Sequence, residues 1–256
     1  MRWNRCLAGW ILFVALVCLT GLGPLDLAGA EPSAKLPVGA FSSAEPGEKL
    51  PEAWEPLLFR KIEAHTRYTV VDSDGISVVK AESRASASGL IRKIQIDPVE
   101  YPWLTWRWKV ANVLKNGDVT KKEGDDFPAR IYITFAYDPA HLSFLDRTKY
   151  KAAKLLYGEY PPTGAINYLW GSNAPVGLIT PNPFTERAMM IVVESGTGKL
   201  NQWVTEKRNV LEDYRRAFQS DPPMISGVAV MTDTDNTGES AVAWFGDIFF
   251  EKQTQN

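Results

Sequence analysis

The sequence predicts an all-β protein, an antiparallel β-sandwich of the jelly-roll kind with one or two short helices. Three observations carry that prediction. Apolar and polar residues alternate with a period of two in run after run. Gly, Pro, Asn and Asp clusters bound those runs as turns bound short strands. Helical spacing is confined to a few short stretches.

Taken in order, the chain opens on an export signal. Arg2 and Arg5 precede an uncharged run over 6–25, and Ala28-Gly29-Ala30 supplies the small residues that a signal peptidase requires. Residues 1–30 therefore read as a signal peptide, and the mature chain begins near Glu31 in the periplasm or outside the cell. An apolar run of this length can also anchor a protein in a bilayer, but the small-residue site and the lack of a basic stop beyond it favour cleavage. Val17 before Cys18 does not suit a lipoprotein box. Both cysteines, Cys6 and Cys18, lie in the removed segment. The mature chain then has no disulfide and must rely on a large core.

Residues 31–48 are rich in Pro, Ala, Ser and Gly and read as a flexible leader up to Phe41. No comparable linker follows, so 49–256 reads as a single domain. Strands are expected over 68–71, 76–81, 89–96, 104–110, 130–137, 167–170, 188–194 and 203–207, and then over 228–231 and 241–250. The last two flank the loop from Thr232 to Ser240 and read as a long hairpin with carboxylates at its tip. One helix is expected over 143–157, ending at Gly158. A second opens at Asn209-Val-Leu-Glu212, a capping-box pattern, and runs to Phe218 with Val210, Tyr214 and Phe218 as its apolar stripe.

Charge removes some partners. With Arg2, Arg5 and Asp26 set aside, 26 basic face 29 acidic side chains, a net charge near −3. That balance argues against nucleic acid, and against adhesion of the cleaved chain to a membrane by bulk charge.

The strings Trp106-Arg-Trp-Lys-Val110, Gly124-Asp-Asp-Phe-Pro-Ala-Arg130 running into Ile-Tyr-Ile-Thr-Phe135, Arg208-Asn-Val210 with Asp213-Tyr214, and Val228-Ala-Val-Met-Thr-Asp-Thr-Asp-Asn-Thr-Gly238 resemble an uncharacterised bacterial family, domain of unknown function 3047. The resemblance runs from about Phe41 to Phe250. It implies a secreted β-sandwich and supplies no catalytic residues. More distantly, the strand pattern is similar to galactose-binding-like jelly rolls, which often serve as carbohydrate-binding modules.

Candidate ligand residues come from alternation. In 104–110, Trp106 and Trp108 point to one face while Thr105, Arg107 and Lys109 point to the other. In 130–137, Ile131, Ile133 and Phe135 are likewise segregated from Arg130, Tyr132 and Thr134. Pairing of these two strands would line up Arg107, Arg130 and Tyr132 on one polar face, beside Asp125 and Asp126. Arg forks next to aromatic rings suit sugar hydroxyls, carboxylates or uronates. The plain alternative is a solvated sheet face with its charges paired. Of seven tryptophans beyond residue 30, Trp106, Trp108 and Trp244 sit inside alternating strands and are expected in the core. Trp103, after Tyr101-Pro102, and Trp170, before Gly171-Ser-Asn173, stand at loop boundaries and are the candidate stacking platforms for a glycan.

The loop after Met231 offers oxygen ligands. Asp233, Asp235 and Gly238 match positions one, three and six of a calcium loop, but Thr237 and Trp244 stand where an EF-hand needs ligands. A calcium site at the loop tip would draw on Asp233, Asp235, Asn236 and Glu239; otherwise the same side chains close a turn on their own backbone.

Catalytic signatures are sparse. His65 and His141 have no metal-ligand spacing, and Ser195 lacks the preceding glycine of a nucleophile elbow. Carboxylates remain: Asp125, Asp126, Glu194, Glu206, Asp213 and Asp233 are candidates for a glycosidase pair. Tyr132 beside Arg107 and Arg130 has the composition of a lyase base. Arg208 and Asp213 read instead as an ion pair docking the second helix. The expected function is a non-catalytic binding module for a polar ligand such as a glycan; the alternatives are a carbohydrate-active enzyme on the same fold and an envelope assembly protein that binds a protein partner.

Overall fold

The computed structural model describes residues 35–139, 144–157 and 160–253, so the expected signal segment, His141 and Gly158 fall outside it. In chain order the strands are β1 (Lys35–Gly39), β2 (Glu55–Leu57), β3 (Arg67–Ser73), β4 (Ile76–Arg84), β5 (Ala87–Ile96), β6 (Trp103–Val110), β7 (Arg130–Phe135), β8 (Gly164–Gly171), β9 (Ile179–Asn182), β10 (Thr185–Ser195), β11 (Val204–Asn209), β12 (Ile225–Asp233) and β13 (Ser240–Glu251). Helix α1 (Phe144–Tyr157) follows β7, and α2 (Val210–Phe218) follows β11.

The strands form two sheets that face each other. One has six strands in the order β11-β6-β13-β4-β3, with β1 also on β13; the other has seven, in the order β2-β5-β12-β7-β8-β10-β9. The all-β sandwich expected from alternation is the observed fold. All pairings are antiparallel except β8 with β10, which run parallel because β9 and its loops return the chain to the same end.

Alternation fixes which side of each strand is buried. Leu104, Trp106, Trp108 and Val110 of β6 and Ile131, Ile133 and Phe135 of β7 lie between the sheets. Trp106 stacks on Tyr168 with ring centroids 5.3 Å apart, meets Trp108 edge-on at 5.4 Å, and Trp108 meets Trp170 at 5.9 Å. This aromatic row supplies the bulk that a sandwich without disulfides needs.

Sheet assignment corrects several expectations. The segments around the acidic loop are not a hairpin: β12 belongs to the seven-stranded sheet and β13 to the six-stranded one, so the loop arches across the end of the sandwich. Strands β6 and β7 are likewise in different sheets and share no polar face. The leader is not free. Strand β1 pairs with β13 from Ile248 to Glu251, beyond the stretch of β13 that β4 covers, and Phe41 is buried against Trp54 at 5.0 Å. Trp244, expected in the core, falls opposite Lys109 and Lys80 and is half-buried on the outer side.

Helix α2 follows its sequence signal. Asn209 caps it by accepting a hydrogen bond from Glu212 N at 3.0 Å. Tyr214 meets Phe135 at 4.4 Å, and Arg208 clasps Asp213 through Nε at 2.9 Å and Nη2 at 2.6 Å. Tyr168 donates to the same Asp213 carboxylate at 2.9 Å. The ion pair therefore docks the helix, as its spacing implied. No helix among the described residues is long and apolar enough to cross a membrane.

Candidate functional site

The outer face of the six-stranded sheet carries a row of rings and cations. Residues of odd number in β6 point outward, which puts Trp103, Arg107 and Lys109 on this face. The Arg107 guanidinium lies 4.6 Å from the Trp203 ring centre, and Lys109 Nζ sits between Trp203 at 5.1 Å and Trp244 at 4.7 Å. A Cβ at Gly246 would fall 2.4 Å from Arg107 Nε, so glycine lets the arginine lie flat across β13. The polar contact of Lys109 is with Ser73 Oγ at 3.5 Å. Neither cation faces a carboxylate among the described ion pairs. At one end of the row Trp103 donates to Gln253 Oε1 at 3.1 Å and lies under Lys207, which pairs with Glu251.

The other expected ligand residues lie elsewhere. Trp170 is fully buried and donates its indole N–H to Gly196 O at 3.1 Å, because the turn that follows β8 begins one residue beyond it. It offers no platform. Arg130, Tyr132, Asp125 and Asp126 gather at the end of the seven-stranded sheet, where the acidic loop crosses. Arg130 is buried there; Nε donates to Asp233 Oδ1 at 2.8 Å, Nη2 pairs with Asp233 Oδ2, and Nη2 also reaches Asp125 O at 2.6 Å. Burial works against the guanidinium charge, but Asp233, Tyr132 and Asp125 outweigh it and hold Arg130 firmly protonated. Tyr132 accepts from Arg130 Nη1 at 3.1 Å, and burial pushes its hydroxyl up against the pull of the guanidinium. A tyrosine so placed is a poor base, and Arg107 is on the other sheet; the lyase arrangement is absent.

The same end gathers the expected calcium ligands only in part. Asp126, Asp233 and Asp235 each offer an oxygen, all within 4.8 Å of one another. Asp233 is taken by Arg130, and Asp126 receives Asn236 N and Nδ2 at 3.3 and 3.2 Å and Thr237 N at 2.6 Å. Asn236 thus donates to the cluster and does not point an oxygen into it. Glu239 accepts from the amides of Lys115 and Asn116, each at 2.9 Å, outside the cluster. Burial and then the Arg130-opposed repulsion of Asp126 and Asp125 push Asp233 up, and burial followed by Asp126 pushes Asp235 up. Arg130 supplies a positive charge to Asp233 and Asp125, and Asp126 and Asp235 stand beside that pair.

A third cluster stands at the edge where β10 and β11 of opposite sheets approach. Glu206 pairs in register with Trp106 and points inward; it is half-buried. Burial, then the neighbouring Glu194, raise its carboxyl from 4.5 to about 7, while Lys199 and Arg208 pull the other way. Glu194 is buried and bonded to Lys199 Nζ at 2.5 Å. Among the described residues the buried indole N–H groups of Trp106 and Trp108 have no hydrogen-bond partner, and that of Trp108 lies beside Glu206. Both carboxylates were legible as candidates; their neighbourhood was not. Sequence reasoning missed Trp203, Lys109 and Trp244 as a set, since each comes from a different strand or loop.

No curated protein matches the chain. Among solved structures, the glycoside hydrolase domain of Endo-D from Streptococcus pneumoniae R6 aligns at a TM-score of 0.32 and 8% identity over 79% of this chain, which spans 22% of that protein. Endoglucanase 3 of Trichoderma harzianum, from family GH12, aligns at a TM-score of 0.37 and 9% identity, covering 80% of this chain and 100% of that one. Likeness this distant carries no argument about activity. The family model of the proteins of unknown function DUF3047 matches residues 52–249, the greater part of the sandwich, and the chain belongs to that family.

Proposed function

We propose that the protein is an exported, non-catalytic module that binds an acidic glycan across the outer face of the six-stranded sheet. The carrying observation is Lys109 held between Trp203 and Trp244, with Arg107 flat on Gly246 against the same Trp203. Indole faces suit the apolar face of a pyranose, and two half-buried cations that meet no carboxylate among the described ion pairs suit the carboxylate or sulfate it carries. The ligand class predicts its own salt dependence, because contacts between exposed charges are screened within about 10 Å at 0.1 M salt.

The test is tryptophan fluorescence of residues 31–256 against uronate-containing, sulfated and neutral polysaccharides. Acidic chains should bind, neutral ones at least about ten-fold more weakly, and Trp203→Ala and Lys109→Gln should each weaken binding by about ten-fold, a loss of 1.4 kcal/mol. Equal binding of neutral and acidic chains, or wild-type affinity in both variants, would sink the reading.

A second reading, hydrolysis of the glycan, rests on Glu206. A carboxyl raised to about 7 can donate a proton near neutrality, and the ion-paired Glu194 beside it can serve as base or nucleophile, the division of labour that glycoside hydrolysis uses.

A further inference from the structure

Helix α1 leaves three large apolar side chains in solvent. A surface helix normally buries its apolar stripe and exposes its charges. Here the side facing the body is held by polar and aromatic contacts: Tyr150 donates to Pro162 O at 2.9 Å and receives Arg187 Nη1 at 3.0 Å, Arg187 Nη2 reaches Asp146 at 3.2 Å, and Tyr150 packs on Tyr137, which stacks on Tyr160. Phe144, Leu145 and Leu155 are 81%, 71% and 91% exposed. At about 100° per residue, Phe144, Thr148 and Leu155 fall on one line, with Leu145 and Ala152 beside it and Tyr150 on the far side.

Cations flank that stripe. Arg147, Lys151 and Lys154 lie along one margin and Lys149 along the other, four basic side chains against the single acidic Asp146 in the helix. Lys149 and Arg187 both contact Asp146, at 3.5 and 3.2 Å, and Lys154 lies over Tyr160. Exposed Phe and Leu between rows of Lys and Arg are the features of a helix lying in the headgroup region of a bilayer. We propose that α1 docks the protein on an anionic membrane surface, Phe144, Leu145 and Leu155 entering the headgroup and acyl boundary and the basic margins meeting lipid phosphates. The net charge near −3 of residues 31–256 does not oppose this, because the attraction acts locally, within a Debye length of about 10 Å.

Co-sedimentation of residues 31–256 with vesicles of phosphatidylglycerol and phosphatidylcholine, against phosphatidylcholine alone, tests it. Binding should require the anionic lipid. The triple variant Phe144→Ser, Leu145→Ser, Leu155→Ser should bind at least about ten-fold more weakly with an unchanged melting temperature, since the replaced side chains are exposed. Lys149→Glu with Lys151→Glu should also release the protein, through charge alone. No binding of the wild-type protein, binding indifferent to lipid charge, or wild-type binding by the triple variant would overturn the proposal, as would a protein partner captured by α1 in the absence of lipid affinity.

Discussion

Glu206 titrates near neutrality because two effects act in the same direction. Burial between the sheet edges disfavours its charge, and Glu194 repels it, so the carboxyl rises from 4.5 to about 7 against the pull of Lys199 and Arg208. The folded protein therefore holds this proton more tightly than the unfolded chain. Between about pH 4.5 and 7 stability falls as pH rises, and above 7 the full cost is present. Glu206→Gln should remove that slope, gaining on the order of 1–2 kcal/mol at pH 8 after allowance for solvent screening, and nothing at pH 4. Urea unfolding at both pH values measures it. The hydrolytic reading is tested on the same variant: sugar release by the wild-type protein that Glu206→Gln abolishes would support it, and no release from any substrate that binds would end it.

Strand β1 shows how an element can hide in composition. Lys35-Leu-Pro-Val-Gly39 reads as leader because Pro, Gly and the surrounding Ala and Ser are loop formers, yet Pro37 is tolerated on an edge strand and Val38 is fully buried. Removing residues 31–40 would leave β13 paired from Ile248 to Glu251 with β6 alone, baring its other edge, and would empty the Val38 site. Equilibrium denaturation should report a loss of roughly 2–4 kcal/mol, with increased association through the bared edge; an unchanged midpoint would show that β1 is dispensable. By contrast, β6 and α2 were legible almost to the residue and β7 and the middle of β12 in place, because a period of two and an Asn cap are local signals. Pairing partners are not local. The segments 228–231 and 241–250 pointed to a hairpin because they are adjacent in sequence, but the loop between them is long enough to cross to the other sheet. Trp244 was misread for a related reason: Val242 and Trp244 alternate with Ala241, Ala243 and Phe245, and only the register against Val79 and Trp108 fixes which set faces inward. The site row of Trp203, Lys109 and Trp244 depends wholly on that register.

The end of the sandwich is closed by a polar seam, and Arg130 is its centre. The loop after β12 leaves the seven-stranded sheet at Asp233, is caught by Asp126 through the amides of Asn236 and Thr237, and enters the six-stranded sheet at Ser240. Around it Thr234 Oγ1 meets Ser83 Oγ at 2.8 Å, and Tyr68 in β3 donates to Ser88 O in β5 at 2.5 Å, bonds that join the two sheets. Asp233 lies in the middle with burial against it and Arg130 as its opposing cation. Arg130→Met would strand a buried carboxylate and should cost about 3–5 kcal/mol at neutral pH. Without the guanidinium the Asp233 carboxyl rises further, so folding takes up a proton and the deficit should shrink as pH falls. Adding Asp233→Leu should restore much of the loss, since an apolar pair of similar volume has no charge to desolvate. If Arg130 is the latch, chelator and millimolar calcium should both leave the wild-type melting temperature unchanged. A calcium-dependent rise of several degrees would show that Asp126, Asp233 and Asp235 hold a cation beside the arginine, and the seam would then be a metal-linked closure joining the two sheets.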